Sequence, residues 1–149
     1  MGFVQSIKHN FANYATFSGR AQRSQFWWWY LFTVIVYAVA NIVDSLIGWG
    51  VGKQTFEFTI NGEIQRYDAP GVGFLFIVVW LVLLLPTLAV AVRRLHDTDR
   101  SGWWLLWGYL LAIVCCIGFI ILLVFWLQRG TNGPNKHGAD PLSGAPQPA

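Results

Sequence analysis

Residues 26–48, 72–92 and 103–127 are three long apolar runs, and no other feature of the sequence constrains its fold so strongly. A helix rising 1.5 Å per residue crosses a hydrocarbon core of about 30 Å with about 20 residues, and each run reaches that length. A soluble chain of 149 residues has no use for three such runs. With 55% of its residues hydrophobic and 11% charged, against roughly 25% charged in soluble domains, it could not cover a water-facing surface. The expected fold is therefore an all-α membrane protein, a three-helix transmembrane bundle.

Aromatic residues mark the ends of the runs. Phe26, Trp27, Trp28, Trp29 and Tyr30 open the first and Trp49 closes it, while Trp103, Trp104 and Trp107 open the third and Trp126 lies near its end. Such rings anchor helices at the bilayer interface, where the apolar body and the polar tip are both satisfied. Trp80 falls mid-run and is expected to pack against another helix. Arg20 and Arg23 before an apolar run, with Ala38, Val39 and Ala40 inside it, have some features of a cleaved signal peptide. The charges start late and the run continues well past Ala40, so an uncleaved span is favoured.

Before the first run, Phe3, Val4, Ile7, Phe11 and Tyr14 recur at helical spacing, with Lys8, His9, Asn10 and Asn13 on the other face. This is an amphipathic helix suited to the interface plane, or a leader that orders only against the bundle. Between the first two runs, residues 55–67 alternate around Asn61-Gly62, the strongest short signal for a β-hairpin. A two-residue loop pairs Ile60 with Glu63, Glu57 with Arg66 and Phe56 with Tyr67. Phe56, Phe58 and Ile60 share one face, expected to rest on helix ends. Residues 1–142 are thus read as a single membrane domain, and the Gly- and Pro-rich residues 143–149 as a disordered tail. A turn is expected at Asn132, Gly133, Pro134 and Asn135. Cys115 and Cys116 read as small packing residues within a helix.

Lys and Arg bias sets orientation. The leader (Lys8, Arg20, Arg23) and the loop at 93–102 (Arg93, Arg94, Arg100) carry six, and the hairpin segment (Lys53, Arg66) and tail (Arg129, Lys136) carry four. That favours a cytoplasmic amino terminus, an extracytoplasmic hairpin and an outside tail. Gly118 interrupts the third run near its centre, so a bent or re-entrant segment returning the tail to the inside is the alternative.

Three motifs stand in order along the chain. The first is Phe17-Ser18-Gly19-Arg20-Ala21-Gln22-Arg23-Ser24-Gln25-Phe26-Trp27. The second is Arg93-Arg94-Leu95-His96-Asp97-Thr98-Asp99-Arg100-Ser101-Gly102-Trp103-Trp104. The third is Gly133-Pro134-Asn135-Lys136-His137-Gly138-Ala139-Asp140-Pro141. Together they resemble the bacterial inner-membrane family catalogued as domain of unknown function 805. The resemblance implies an inner (plasma) membrane location and no established activity, and the apolar runs make that location multi-pass. The chain departs from it at His137, where the family more often shows an aromatic side chain, and in a longer hairpin insert.

Two groups of residues are candidates for function. The first gathers Arg20, Arg23, Arg93, Arg94, His96, Asp97, Asp99 and Arg100. A histidine beside carboxylates can shuttle protons or ligate a metal, but one His and two Asp without fixed spacing make a weak metal signature. The structural reading is favoured: arginines at headgroup phosphates, Asp97 or Asp99 paired with Arg94, Arg100 or the leader arginines, and Ser101 capping the third helix. The second group is an intramembrane polar stripe at Tyr37, Asn41 and Asp44, read as interhelical hydrogen bonding or as a solute path. Pro86 is expected to bend the second helix at the carbonyl of Val82, with Thr87 beside it. No nucleophile elbow, paired catalytic carboxylates or phosphate-binding Gly loop occurs, so no enzyme activity, cofactor or metal is expected. The expected role is a non-enzymatic membrane interaction or envelope component. Its basic inner face would bind anionic headgroups or a membrane-protein partner, in a homo-oligomer or alone, and not nucleic acid. A small oligomeric transporter or channel subunit for ions or small solutes is the alternative.

Overall fold

The computed structural model describes residues 1–52, 54–60, 62–69, 71–115 and 117–143. Its elements are α1 (Phe3–Ala12), α2 (Arg23–Ile47), β1 (Gly50–Val51), β2 (Gln54–Ile60), β3 (Glu63–Ala69), β4 (Val72–Gly73), α3 (Phe74–Asp97), α4 (Trp103–Cys115) and α5 (Ile117–Leu127). They form two compact units, one of Met1–Phe32 with Leu85–Ala149 and one of Thr33–Leu84.

Helices α2 and α3, of 25 and 24 residues, are long and apolar enough to cross a membrane. Phe26, Trp29, Leu83, Val90 and Leu95 of these helices are buried, but many of their other large apolar side chains point outward, with Leu46 82% exposed. A water-facing protein does not expose apolar surface on that scale. Trp80, expected in a helix contact, is also half-exposed. Pro86 sits inside α3, and Thr87 next to it accepts the Trp29 indole N–H at 3.1 Å.

The smaller unit holds the hairpin. Strands β2 and β3 pair antiparallel in the register that the Asn-Gly turn dictates, with Ile60 opposite Glu63 and Phe56 opposite Tyr67. Asn61 lies outside the described residues, and Gly62 has the positive φ of 83° that this turn requires. Arg66 Nε donates to Glu57 Oε1 at 2.7 Å. Two further short strands, β1 and β4, lie outside the expected limits and pair antiparallel as a separate two-stranded sheet. Phe56, Phe58 and Ile60 stay about half-exposed, so the apolar face is not covered as expected.

The larger unit corrects the third run. Residues 103–127 do not make one crossing helix but two, of 13 and 11 residues, each well short of 30 Å at about 1.5 Å per residue. They pack antiparallel, as the Trp104–Phe125 ring contact at 5.4 Å shows. The physical reason is small residues at the crossing: a Cβ on Gly118 would strike the backbone of Gly108 and Ala112. Close backbone approach of this kind is how helices associate in lipid. Gly118 is therefore a packing residue inside α5, and the chain reverses before it. Cys116 lies outside the described residues, as does everything after Ser143.

Reversal returns the tail to the end of α3, which corrects its expected placement away from the leader and the 93–102 loop. Thr131 N–H donates to the Asp97 carbonyl at 2.8 Å, and the Asn135 side-chain amide donates to the His96 carbonyl at 2.9 Å. Helix α1 is ordered against other elements of its unit. Its Ser6 and Asn10 are buried, while Val4 and Phe11 are exposed. Part of its polar side, Ser6 and Asn10, faces protein, while Gln5 and Lys8 stay exposed and Phe11 packs edge-on against Trp29 and Phe32.

Candidate functional site

The end of α3 carries three charged side chains in five residues, Arg93, Arg94 and Asp97, and all are buried. Helical spacing puts Arg94 and Asp97 on one face at i, i+3. Arg94 pairs there with Asp97 Oδ2, and Arg20 Nε reaches Asp97 Oδ1 at 3.0 Å. One carboxylate thus bridges two guanidiniums. Gly130 closes the other side, because any Cβ there would overlap the Asp97 carboxylate.

Backbone oxygens occupy the remaining guanidinium donors. Arg20 donates from Nη1 to the Gly133 carbonyl and from Nη2 to that of Thr131, both at 2.6 Å. Arg94 donates from Nε to the Trp126 carbonyl at 3.2 Å and from Nη2 to that of Gln128. Those two oxygens lie at the C-terminal end of α5, where carbonyls lack helical partners and the dipole is negative. The tail is therefore held through its main chain, by side chains of the leader and of α3.

Arg93 points elsewhere. Its Nη2 donates to Asn10 Oδ1 at 2.8 Å, its Nε to the Ala89 carbonyl at 3.4 Å, and its Nη1 lies 3.4 Å from His9 Nε2. Gln25 also donates to Asn10 Oδ1, at 3.2 Å. Asn10 is thus the acceptor that ties α1 to both long helices. Arg93 can only donate, so His9 Nε2 takes the acceptor role in that contact. Burial and then the Arg93 charge hold the imidazole below its ordinary pKa.

His96 and His137 stack face to face, with ring centroids 3.9 Å apart and planes at 4°. His96 Nδ1 lies 3.2 Å from the Gly19 carbonyl. Burial, then Lys136 and Arg20, depress His137, with Asp99 opposing them. Asp140 is held below the usual carboxylate range by backbone N–H bonds from Leu142 and Gly133. A cavity of about 380 Å³ opens beside these groups, with His9, Arg20, Arg93 and His137 in its wall.

Of the first candidate group, Arg20, Arg94 and Asp97 come together, Arg93 and His96 flank them, and three residues stay apart. Arg23 is exposed and makes no ion pair among the described residues. Asp99 is exposed and lies 3.6 Å from Lys136. Arg100 lies over the Phe125 ring at 3.8 Å. Ser101 Oγ accepts the Trp103 N–H at 3.4 Å, the expected cap. In the second group, Asn41 donates to the Tyr37 carbonyl, and Asp44 accepts the N–H groups of Leu75 and Phe76 at the start of α3. Asp44 is a helix cap reaching across sequence, a role that local sequence does not signal.

Residues 14–139 match the family described as Protein of unknown function (DUF805). The chain belongs to the DUF805 family. Two Escherichia coli K12 proteins are similar along most of their length. Inner membrane protein YhaH is 39% identical over 129 residues, covering 87% of this chain and 89% of its own. Inner membrane protein YhaI is 38% identical over 133 residues, covering 89% and 92%. No solved structure matches. The DUF805 match includes Arg20, Arg93, Arg94, Asp97 and the tail to Ala139, and it begins after His9, Asn10 and Asn13.

Proposed function

We propose that this chain is a non-enzymatic, multi-pass component of the bacterial inner membrane whose basic cytoplasmic face binds anionic lipid headgroups or a membrane-protein partner. One observation carries the reading. Leader, 93–102 loop and tail are fastened together around Asp97. Lys8, Arg20, Arg23, Arg93, Arg94 and Arg100 thereby share a unit with Arg129 and Lys136, which is eight of the ten Lys and Arg in the chain. In this reading α2 and α3 cross the bilayer, and α4 with α5 forms a re-entrant helical hairpin. The positive-inside rule then puts the amino terminus and tail in the cytoplasm, and leaves the β-hairpin, with only Lys53 and Arg66 near it, outside. Arg20, Arg93 and Arg94 are buried, so the surface of that face is carried by Lys8, Arg23, Arg100, Arg129 and Lys136, and membrane-surface attraction of about 1 kcal/mol per basic residue gives it a preference for anionic leaflets.

A transport role draws on the polar stripe, but Asn41 and Asp44 are occupied with backbone groups. The interaction role is therefore preferred. A reporter fused to the carboxyl terminus tests the reading. Green fluorescent protein is expected to fluoresce there and alkaline phosphatase to be inactive, whereas the reverse overturns it. In nanodiscs, replacing phosphatidylcholine by phosphatidylglycerol is expected to raise the melting temperature, and 0.5 M salt (on the order of a 4 Å Debye length) to remove part of that gain.

A further inference from the structure

Arg93 differs from the other buried arginines. Arg20 and Arg94 share Asp97, whereas the guanidinium of Arg93, 3% exposed, has as its polar partners among the described residues the Ala89 carbonyl, the Asn10 amide oxygen and His9. All three are neutral. A buried charge without a counter-charge is costly unless a partner arrives to compensate it.

Arg93 also lines the 380 Å³ cavity, a volume within the roughly 300–1,000 Å³ typical of small-molecule sites. Its wall is short of negative charge. Arg20 contributes a second guanidinium, and Asn13, Thr16 and Ser18 contribute an amide and two hydroxyls. No Asp or Glu is among the described lining residues. His137 belongs to the same wall, and its Nε2 is buried with no hydrogen-bond partner. The cavity therefore combines an uncompensated guanidinium and several donors around one space, with the His137 imidazole in its wall. That set suits an anion with oxygens in several directions, which a planar carboxylate does not supply.

We propose that this cavity binds a phosphate-type oxyanion, as inorganic phosphate or as the phosphomonoester of a lipid headgroup. Arg93 is the main charge partner, since its guanidinium makes charge-assisted bonds to phosphate oxygens. His137 donates through Nε2 when its proton sits there, and Thr16 and Ser18 orient the remaining oxygens. The inference deepens the proposed function by naming the headgroup chemistry that the basic face takes, and it rests on that reading.

The test uses the full chain in neutral detergent, titrated with inorganic phosphate by calorimetry, and in nanodiscs carrying phosphatidic acid or phosphatidylglycerol, read by native mass spectrometry. Two variants accompany it: Arg93→Gln removes the cation, and Ser18→Asp puts a competing carboxylate at an exposed position of the wall, where the fold is expected to tolerate it. Saturable phosphate binding, about tenfold weaker or worse in both variants, supports the site with a free anion as ligand. Retention of phosphatidic acid over phosphatidylglycerol, lost in Ser18→Asp, supports it with a lipid as the source. Three results overturn it: no binding of either ligand, acetate binding as tightly as phosphate, or unchanged binding in folded Ser18→Asp. Failure here with a cytoplasmic reporter leaves the proposed function standing, whereas a periplasmic reporter overturns that function whatever the cavity binds.

Discussion

Asp97 and Asp99 are two residues apart and equivalent in the sequence, yet only one of them is enclosed. Asp97 is buried between Arg20 and Arg94, while the Asp99–Lys136 pair is exposed on both sides. Removing one partner of a buried ion pair strands the others, at about 3–5 kcal/mol, whereas an exposed pair contributes about 0–1 kcal/mol. Asp97→Asn is therefore expected to lower the unfolding free energy in micelles severely, and Asp99→Asn hardly at all; equal losses would refute the asymmetry. The histidines add a pH dependence. His9 and His137 both have folded pKa values below their ordinary one, so the unfolded chain binds more protons between the two values. Their contribution is complete above about pH 6.5 and is lost as the pH falls through the depressed values. The melting temperature should drop between pH 7 and pH 5, and less so in a His9→Gln, His137→Gln protein. The sequence showed that charges gather near residue 97, because charge near an apolar run is visible by composition. It did not show which were buried, because that depends on chain segments more than thirty residues away.

At the scale of elements, run length and alternation identified α2, α3 and the hairpin register, since both are local properties with one dominant solution. The third run misled because α4 and α5 are apolar all round, which removes the periodicity that would mark a contact face. Gly118 stood out in the sequence, and its meaning became clear only against Gly108: the two helices meet where neither has a side chain to keep them apart. Gly118→Val is expected to force α4 and α5 apart, costing about 1–3 kcal/mol as overpacking does. Ile113→Val, on a side chain 84% exposed, is expected to be silent. Thermal unfolding by circular dichroism in the same detergent compares them, and equal melting temperatures would argue against this crossing. Helix α1 gives a parallel lesson. Its two faces were legible by spacing, but which face meets protein was not, because the polar partner of Asn10 is Arg93, more than eighty residues on.

For the whole molecule, the tail decides whether the charged residues form one assembly. Its sequence shows a turn at residues 132–135 and Gly- and Pro-rich residues 143–149, but not its anchoring, since sequence patterns register side chains and not the backbone oxygens used here. Those oxygens, on Trp126, Gln128, Thr131 and Gly133, take four donors from Arg94 and Arg20. Truncation after Gln128 removes the two that serve Arg20, and with them the Thr131 bond to the Asp97 carbonyl. Each lost bond to a charged group is worth about 1.5–3 kcal/mol, so a chain ending at Gln128 is expected to fall below the stability needed for a monodisperse peak on size exclusion. A chain ending at Ser143 keeps every one of these bonds and is expected to run as the full-length protein. The contrast separates a structural tail from a tether, because a tether would tolerate both truncations alike.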